Sequence, residues 1–180
     1  LRLVTTDEYR HMLEERELAP VSVGELTRTQ GYNIVIGAFA ALASYALFHL
    51  ITVFPLSWIR LFSQQSISEF LVIQVIGAFL AAGGVVASGL IADRIGRRNT
   101  LGSLAIAIGV FSGFAPTLLD GGRIGQDIFL LLGFVLLGLS YGQAAGAVTA
   151  NFELRYRYTG AALTADLAWL FGAAFAPLVA

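Results

Sequence analysis

Gly89-Leu90-Ile91-Ala92-Asp93-Arg94-Ile95-Gly96-Arg97-Arg98-Asn99-Thr100-Leu101 is the densest group of charges between Phe39 and Ala150, and strongly apolar runs lie on both sides of it. An aqueous turn between two membrane helices has this composition, because charges are expelled from hydrocarbon and arginines gather on the cytoplasmic side. Each residue type suits a task in such a turn. Gly89 would let a neighbouring helix approach, and Gly96 permits the reversal. Asp93 would face a helix N-terminus or an arginine, while Arg94, Arg97 and Arg98 would sit among headgroups and helix C-terminal carbonyls.

Working outward, the 180 residues are 57% hydrophobic and only 13% charged, with mean hydropathy +0.76. A soluble domain carries about 25% charged residues, so the chain is expected to be an all-α, polytopic membrane protein. A net charge of −1 argues against a nucleic-acid partner. Without cysteine there is no disulfide framework or thiol chemistry. Two distant histidines and no paired acidic motif give no metal site, and no cofactor is expected. The phosphate-cradling G-x-x-x-x-G-K-[ST] is missing, so the chain does not itself couple to ATP. Leu1 is not an initiator and Ala180 falls inside an apolar run, so a piece of a longer protein is expected.

Residues 1–30 read as a cytoplasmic linker. Thr5 and Glu8 have capping-box spacing, and Tyr9, Met12 and Leu13 share a helical face until Pro20; a shorter helix over Val23–Arg28 follows. Residues 31–180 hold five apolar segments at about 31–58, 67–92, 101–119, 127–150 and 160–180, each near the ~20 residues of a spanning helix. Asp120-Gly121-Gly122-Arg123 is turn chemistry for a tight hairpin. With the linker cytoplasmic, nine arginines fall inside and only Arg60 and Arg123 outside, a positive-inside bias. Ridges of small residues, Ala105-Gly109-Gly113 and Gly138-Gly142-Gly146-Ala150, are suited to close helix contact. Bends are expected at Pro55, Pro116 and Pro177.

The spacing G-x-x-x-D-R-x-G-R-R resembles the signature loop of the major facilitator superfamily, which joins the second and third helices of a six-helix half. Arg155-Tyr156-Arg157-Tyr158-Thr159-Gly160, with Ala161-Ala162-Leu163, resembles the metabolite–proton symporter branch, where an R-Y-T-G turn opens the eleventh helix. The linker M-L-E-E-R-E-L-A-P-V-S-V-G-E-L is similar to that branch's central loop. The resemblance covers nearly the whole chain and implies helices seven to eleven of a twelve-helix transporter in a bacterial inner membrane. It further implies alternating access, proton-coupled symport of an organic acid or zwitterionic solute, and dependence on an N-terminal half. Gly89, Asp93, Arg94, Gly96, Arg97 and Arg98 would form the cytoplasmic gate, with Arg155 and Arg157 in a second loop. Two departures stand out: Ala150 and Glu153 occupy positions where the branch usually has glutamate and proline.

Ionisable groups inside hydrocarbon are functional candidates. Asp166 lies about 9 Å beyond Gly160 along its helix and could carry a proton or contact substrate, or be a structural aspartate near a helix start. Tyr45, His49 and Thr52 form one stripe at helical spacing, and Ser140, Tyr141 and Gln143 add polar groups to the fourth helix. His49 could titrate, or it could serve an interhelical hydrogen bond. Glu69 and Gln74 fall near the outer end of the second helix. Gly138-Leu139-Ser140-Tyr141-Gly142 matches the G-x-S-x-G elbow of serine hydrolases, but a strained strand-to-helix turn is required and a mid-helix site is expected here. A transporter rather than an enzyme is therefore expected, with a standalone membrane scaffold as the alternative and an intramembrane hydrolase as a remote one.

Overall fold

The computed structural model describes residues 22–62 and 66–179; the amphipathic segment expected around Thr5–Leu13 lies outside the described residues. Among the described residues the chain is helical, with no strand. The helices are α1 (Val23–Thr52), α2 (Phe54–Phe62), α3 (Ile67–Ile95), α4 (Arg97–Gly113), α5 (Ala115–Asp120), α6 (Gly122–Ala150) and α7 (Arg157–Val179), with a 3-10 turn at Leu154–Tyr156. Three stretches are long and apolar enough to cross a membrane: Val23–Phe62, Ile67–Ile95 and Gly122–Ala150. This is an all-α transmembrane bundle.

Ser22 caps α1, its Oγ accepting from the Glu25 amide at 3.2 Å, and Glu25 places its carboxylate in the positive first turn. The short helix expected at Val23–Arg28 forms the first part of α1. It runs into the apolar part of α1 through a kink at Gln30 (φ −122°, ψ 17°). Farther on, Pro55 brings no N–H for the Ile51 carbonyl, and α1 gives way to α2 at Val53. An unsatisfied carbonyl costs several kcal/mol in hydrocarbon. Gln74 of α3 answers this, its Nε2 reaching the Ile51 carbonyl at 3.5 Å and donating to the neighbouring Thr52 carbonyl at 3.0 Å. Pro116 marks a second interruption, between α4 and α5, whereas α7 runs as helix through Pro177 to Val179. At the hairpin Gly122 takes φ 67°, a left-handed value that favours glycine.

The two strongest associations are α3 with α6 and α1 with α7; α6 also touches α1, α4 and α5 and is the hub of the bundle. Along α3–α6 the backbones come close enough that a Cβ on Gly138 would collide with the Ala81 backbone, and one on Gly142 would lie 2.5 Å from Ser88 Oγ. The ridge expected on α6 is therefore its seam with α3. The companion ridge on α4 is not a seam, because Gly109 and Gly113 face open space. Gly89 likewise has nothing within 4 Å of a Cβ, and close approach on α3 occurs instead at Gly77 and Gly84.

Side chains fill the bundle in two clusters. One, near the α1–α2 break, is built on Ile51, Phe70, Phe111, Phe129 and Phe134, with Phe111 and Phe129 stacked at 5.1 Å. The other, toward the α6–α7 connection, holds Leu26, Ile34, Ala144, Val148 and Phe152. By contrast Leu71, Val72, Val75, Phe79 and Val86 on α3 are exposed, Phe79 at 77%. Apolar side chains turned outward along a whole helix are stable against lipid, where no hydrophobic drive separates surface from core.

Candidate functional site

The basic turn is built by Gly96, which has φ 84° and joins α3 directly to α4. Its N–H donates to the Ala92 carbonyl at 2.9 Å, while Asn99 Nδ2 reaches back to the Ile95 carbonyl at 2.9 Å. Arg97 Nη1 donates to the Gly146 carbonyl at 3.3 Å, fastening the turn to the last part of α6. Asp93, Arg94 and Arg98 are exposed, and Asp93 forms no ion pair with another described residue. The expected contact of Asp93 with an arginine or helix end is thus not made within this chain's described residues.

A second polar centre ties α1 to the α6–α7 connection. Gln30, 7% exposed at the kink, donates from Nε2 to Glu153 Oε1 at 2.9 Å. Asn33 Nδ2 donates both to Gln30 Oε1 and to the Asn151 carbonyl, the latter at 3.1 Å. One turn nearer the start of α1, Glu25 accepts from the Tyr156 hydroxyl at 3.0 Å and pairs with Arg155 at 3.2 Å. Arg155 also lies 5.5 Å over the Tyr156 ring, while Arg157 is exposed at the start of α7.

Inside the spanning region, α1, α6 and α7 bring together most of the candidate site. Tyr45 meets Tyr141 edge-on at 5.9 Å and Trp169 at 4.9 Å, and its phenol lies within electrostatic reach of Asp166. His49, one turn along, packs on Trp169 at 5.3 Å, and its buried Nε2 has no hydrogen-bond partner among the described residues. Phe48 closes the other side of Trp169 at 5.2 Å. Tyr141 is 43% exposed and Asp166 is exposed.

Other candidates are placed elsewhere. Thr52 spends its hydroxyl on the Phe48 carbonyl at 2.6 Å. Gln143 is buried in the α3–α6 seam, donating to Ser88 Oγ at 3.2 Å. Ser140 is buried and donates to the Leu137 carbonyl at 3.1 Å within unbroken helix. The elbow geometry of a serine hydrolase is absent at that position. Glu69 pairs with Arg123 at 3.3 Å across the two outer turns. Trp169 is the member that sequence reasoning missed; its signal was the i, i+3 spacing from Asp166. A separate groove of about 810 Å³, lined by apolar residues of α1, α2, α4, α5 and α7, offers no charged anchor for a polar solute.

No family model and no solved structure matches the chain. It is 31% identical over 173 residues to a metabolite transport protein of Haemophilus influenzae, covering 89% of this chain and 39% of that protein. It is 29% identical over 181 residues to the inner membrane metabolite transport protein YhjE of Escherichia coli, covering 96% and 40% respectively. The chain therefore spans about 40% of the length of the curated relatives it matches.

Proposed function

We propose that this chain, which is similar to metabolite transport proteins, is of the major facilitator type and supplies helices seven to eleven of a proton-coupled inner-membrane symporter. Its five crossings are α1–α2, α3, α4–α5, α6 and α7. The missing N-terminal half completes a midplane site, and the two halves rock about it. The single observation that carries this reading is the convergence of Tyr45, His49, Tyr141 and Trp169 from three helices, with Tyr141 and the neighbouring Asp166 exposed. An ionisable group of the cluster, Asp166 or His49, carries the coupling proton. The rest of the set faces a small polar metabolite. The basic turn at Gly96 acts at the cytoplasmic rim, where Asp93 is left free to engage the other half in one state of the cycle.

The test is solute-driven proton influx. Full-length protein is reconstituted in liposomes holding a pH-sensitive dye, and carboxylates, amines and zwitterions are added outside. Acidification of the lumen by at least one solute, absent from protein-free liposomes, is the expected result. Silence across the whole panel removes the symporter reading.

A further inference from the structure

Resting on the reading that the Tyr45–Trp169 cluster is the substrate site, we infer that the substrate group held by this half is a cation, a substituted ammonium belonging to a cationic or zwitterionic metabolite. The first ground is the distribution of charge. Arg28, Arg60, Arg94, Arg97, Arg98, Arg123, Arg155 and Arg157 are all exposed and lie near helix ends. Several are already engaged: Arg97 by the Gly146 carbonyl, Arg123 by Glu69 and Arg155 by Glu25. Among the described residues the cluster itself contains one formal charge that is fixed in sign, the Asp166 carboxylate. A dicarboxylate docked there would meet a like charge with no guanidinium among the described residues of the cluster to offset it.

The second ground is the set of rings that meet about one helical turn from Asp166, where Trp169 sits. Tyr45 lies 5.9 Å from Tyr141 and 4.9 Å from Trp169, and Phe48 lies 5.2 Å from Trp169, so three helices contribute π-systems. Ring faces carry negative electrostatic potential and attract ammonium groups, most strongly when desolvated. Carboxylate and rings therefore favour the same sign of ligand. An anionic end, where the metabolite has one, is met by the half of the transporter outside this chain.

The experiment uses full-length protein in detergent and in liposomes. Binding of tetramethylammonium, trimethylglycine and succinate is compared with that of 3,3-dimethylbutanoate, which has the shape of trimethylglycine but no positive head. Expected is binding of trimethylglycine at least roughly tenfold tighter than its neutral-headed analogue, the preference vanishing in Asp166→Asn. Tyr141→Leu should weaken it by about 3- to 30-fold while Tyr141→Phe does not, since the ring and not the hydroxyl is used. Equal binding of the two isosteres, or succinate driving proton influx while the ammonium compounds do neither, overturns the charge assignment and leaves the transporter intact. Absence of influx with every solute removes the transporter reading itself.

Discussion

At the residue scale, Asp166 and His49 separate by what each can hold. A carboxylate paired with an ammonium has no place for the coupling proton at the same moment. His49, whose ring packs against Trp169 and Phe48 and whose buried Nε2 has no hydrogen-bond partner among the described residues, is the group proposed to take it. Two transport modes distinguish these roles, because exchange of solute across the bilayer needs no net proton movement whereas uphill uptake does. Asp166→Asn is expected to lose both counterflow and uphill uptake. His49→Gln should keep counterflow within about threefold and lose most uphill uptake, a cost of roughly 1 kcal/mol or less to binding. Counterflow lost with His49→Gln and kept with Asp166→Asn would reverse the assignment. The sequence showed these two residues because charge and imidazole are conspicuous in apolar runs. It hid Trp169, since an aromatic residue in a membrane helix is ordinary until the structure shows what it touches.

At the scale of elements, the small residues of α6 and α4 look alike in sequence and differ in space. Gly138 lies against the Ala81 backbone, which cannot move aside without shifting α3, whereas Gly109 looks into open space. Gly138→Ala should therefore destabilise the bundle by about 1–3 kcal/mol through overpacking. Gly109→Ala should be neutral or stabilise by up to about 1 kcal/mol, since alanine restricts the unfolded chain. Thermal unfolding of full-length protein in detergent reads both; equal losses would mean that α4 has a neighbour on that face. The same lesson applies to Gln74, whose polar side chain in α3 answers a break made by Pro55 more than a turn away in another helix. Periodicity reveals a helix and a proline reveals a break, but neither says which helix repairs it.

The kink at Gln30 is an element whose fastening is legible only in three dimensions. Gly31 adjoins it in the sequence, but Glu153, which stands where the resembled branch usually has proline, is 123 residues away. The carboxylate accepts the Gln30 amide and fixes the α1 bend to the α6–α7 connection. Glu153→Ala should cost about 1–2 kcal/mol of stability by leaving a half-buried amide unpaired, and Glu153→Gln should restore most of it because an amide oxygen also accepts. Matching losses in both variants would show that the charge, not the hydrogen bond, is what holds the kink.

For the whole molecule, the orientation expected from arginine placement was plain from sequence because it depends only on counting along the chain. What Asp93 touches was not. It is exposed, as Arg94 and Arg98 are, and forms no ion pair with another described residue. A charge held ready at a rim where two halves close contributes to the closed state and little to the site roughly half a membrane away. Asp93→Asn in full-length protein should therefore lower the maximal rate of uptake by about tenfold, on the order of 1.4 kcal/mol in the rate-limiting rearrangement. The substrate dissociation constant, measured by equilibrium binding, should change less than about threefold. If affinity falls while the rate at saturation holds, Asp93 shapes the ground-state cavity, and gating has to be sought in the Gln30–Glu153 contact instead.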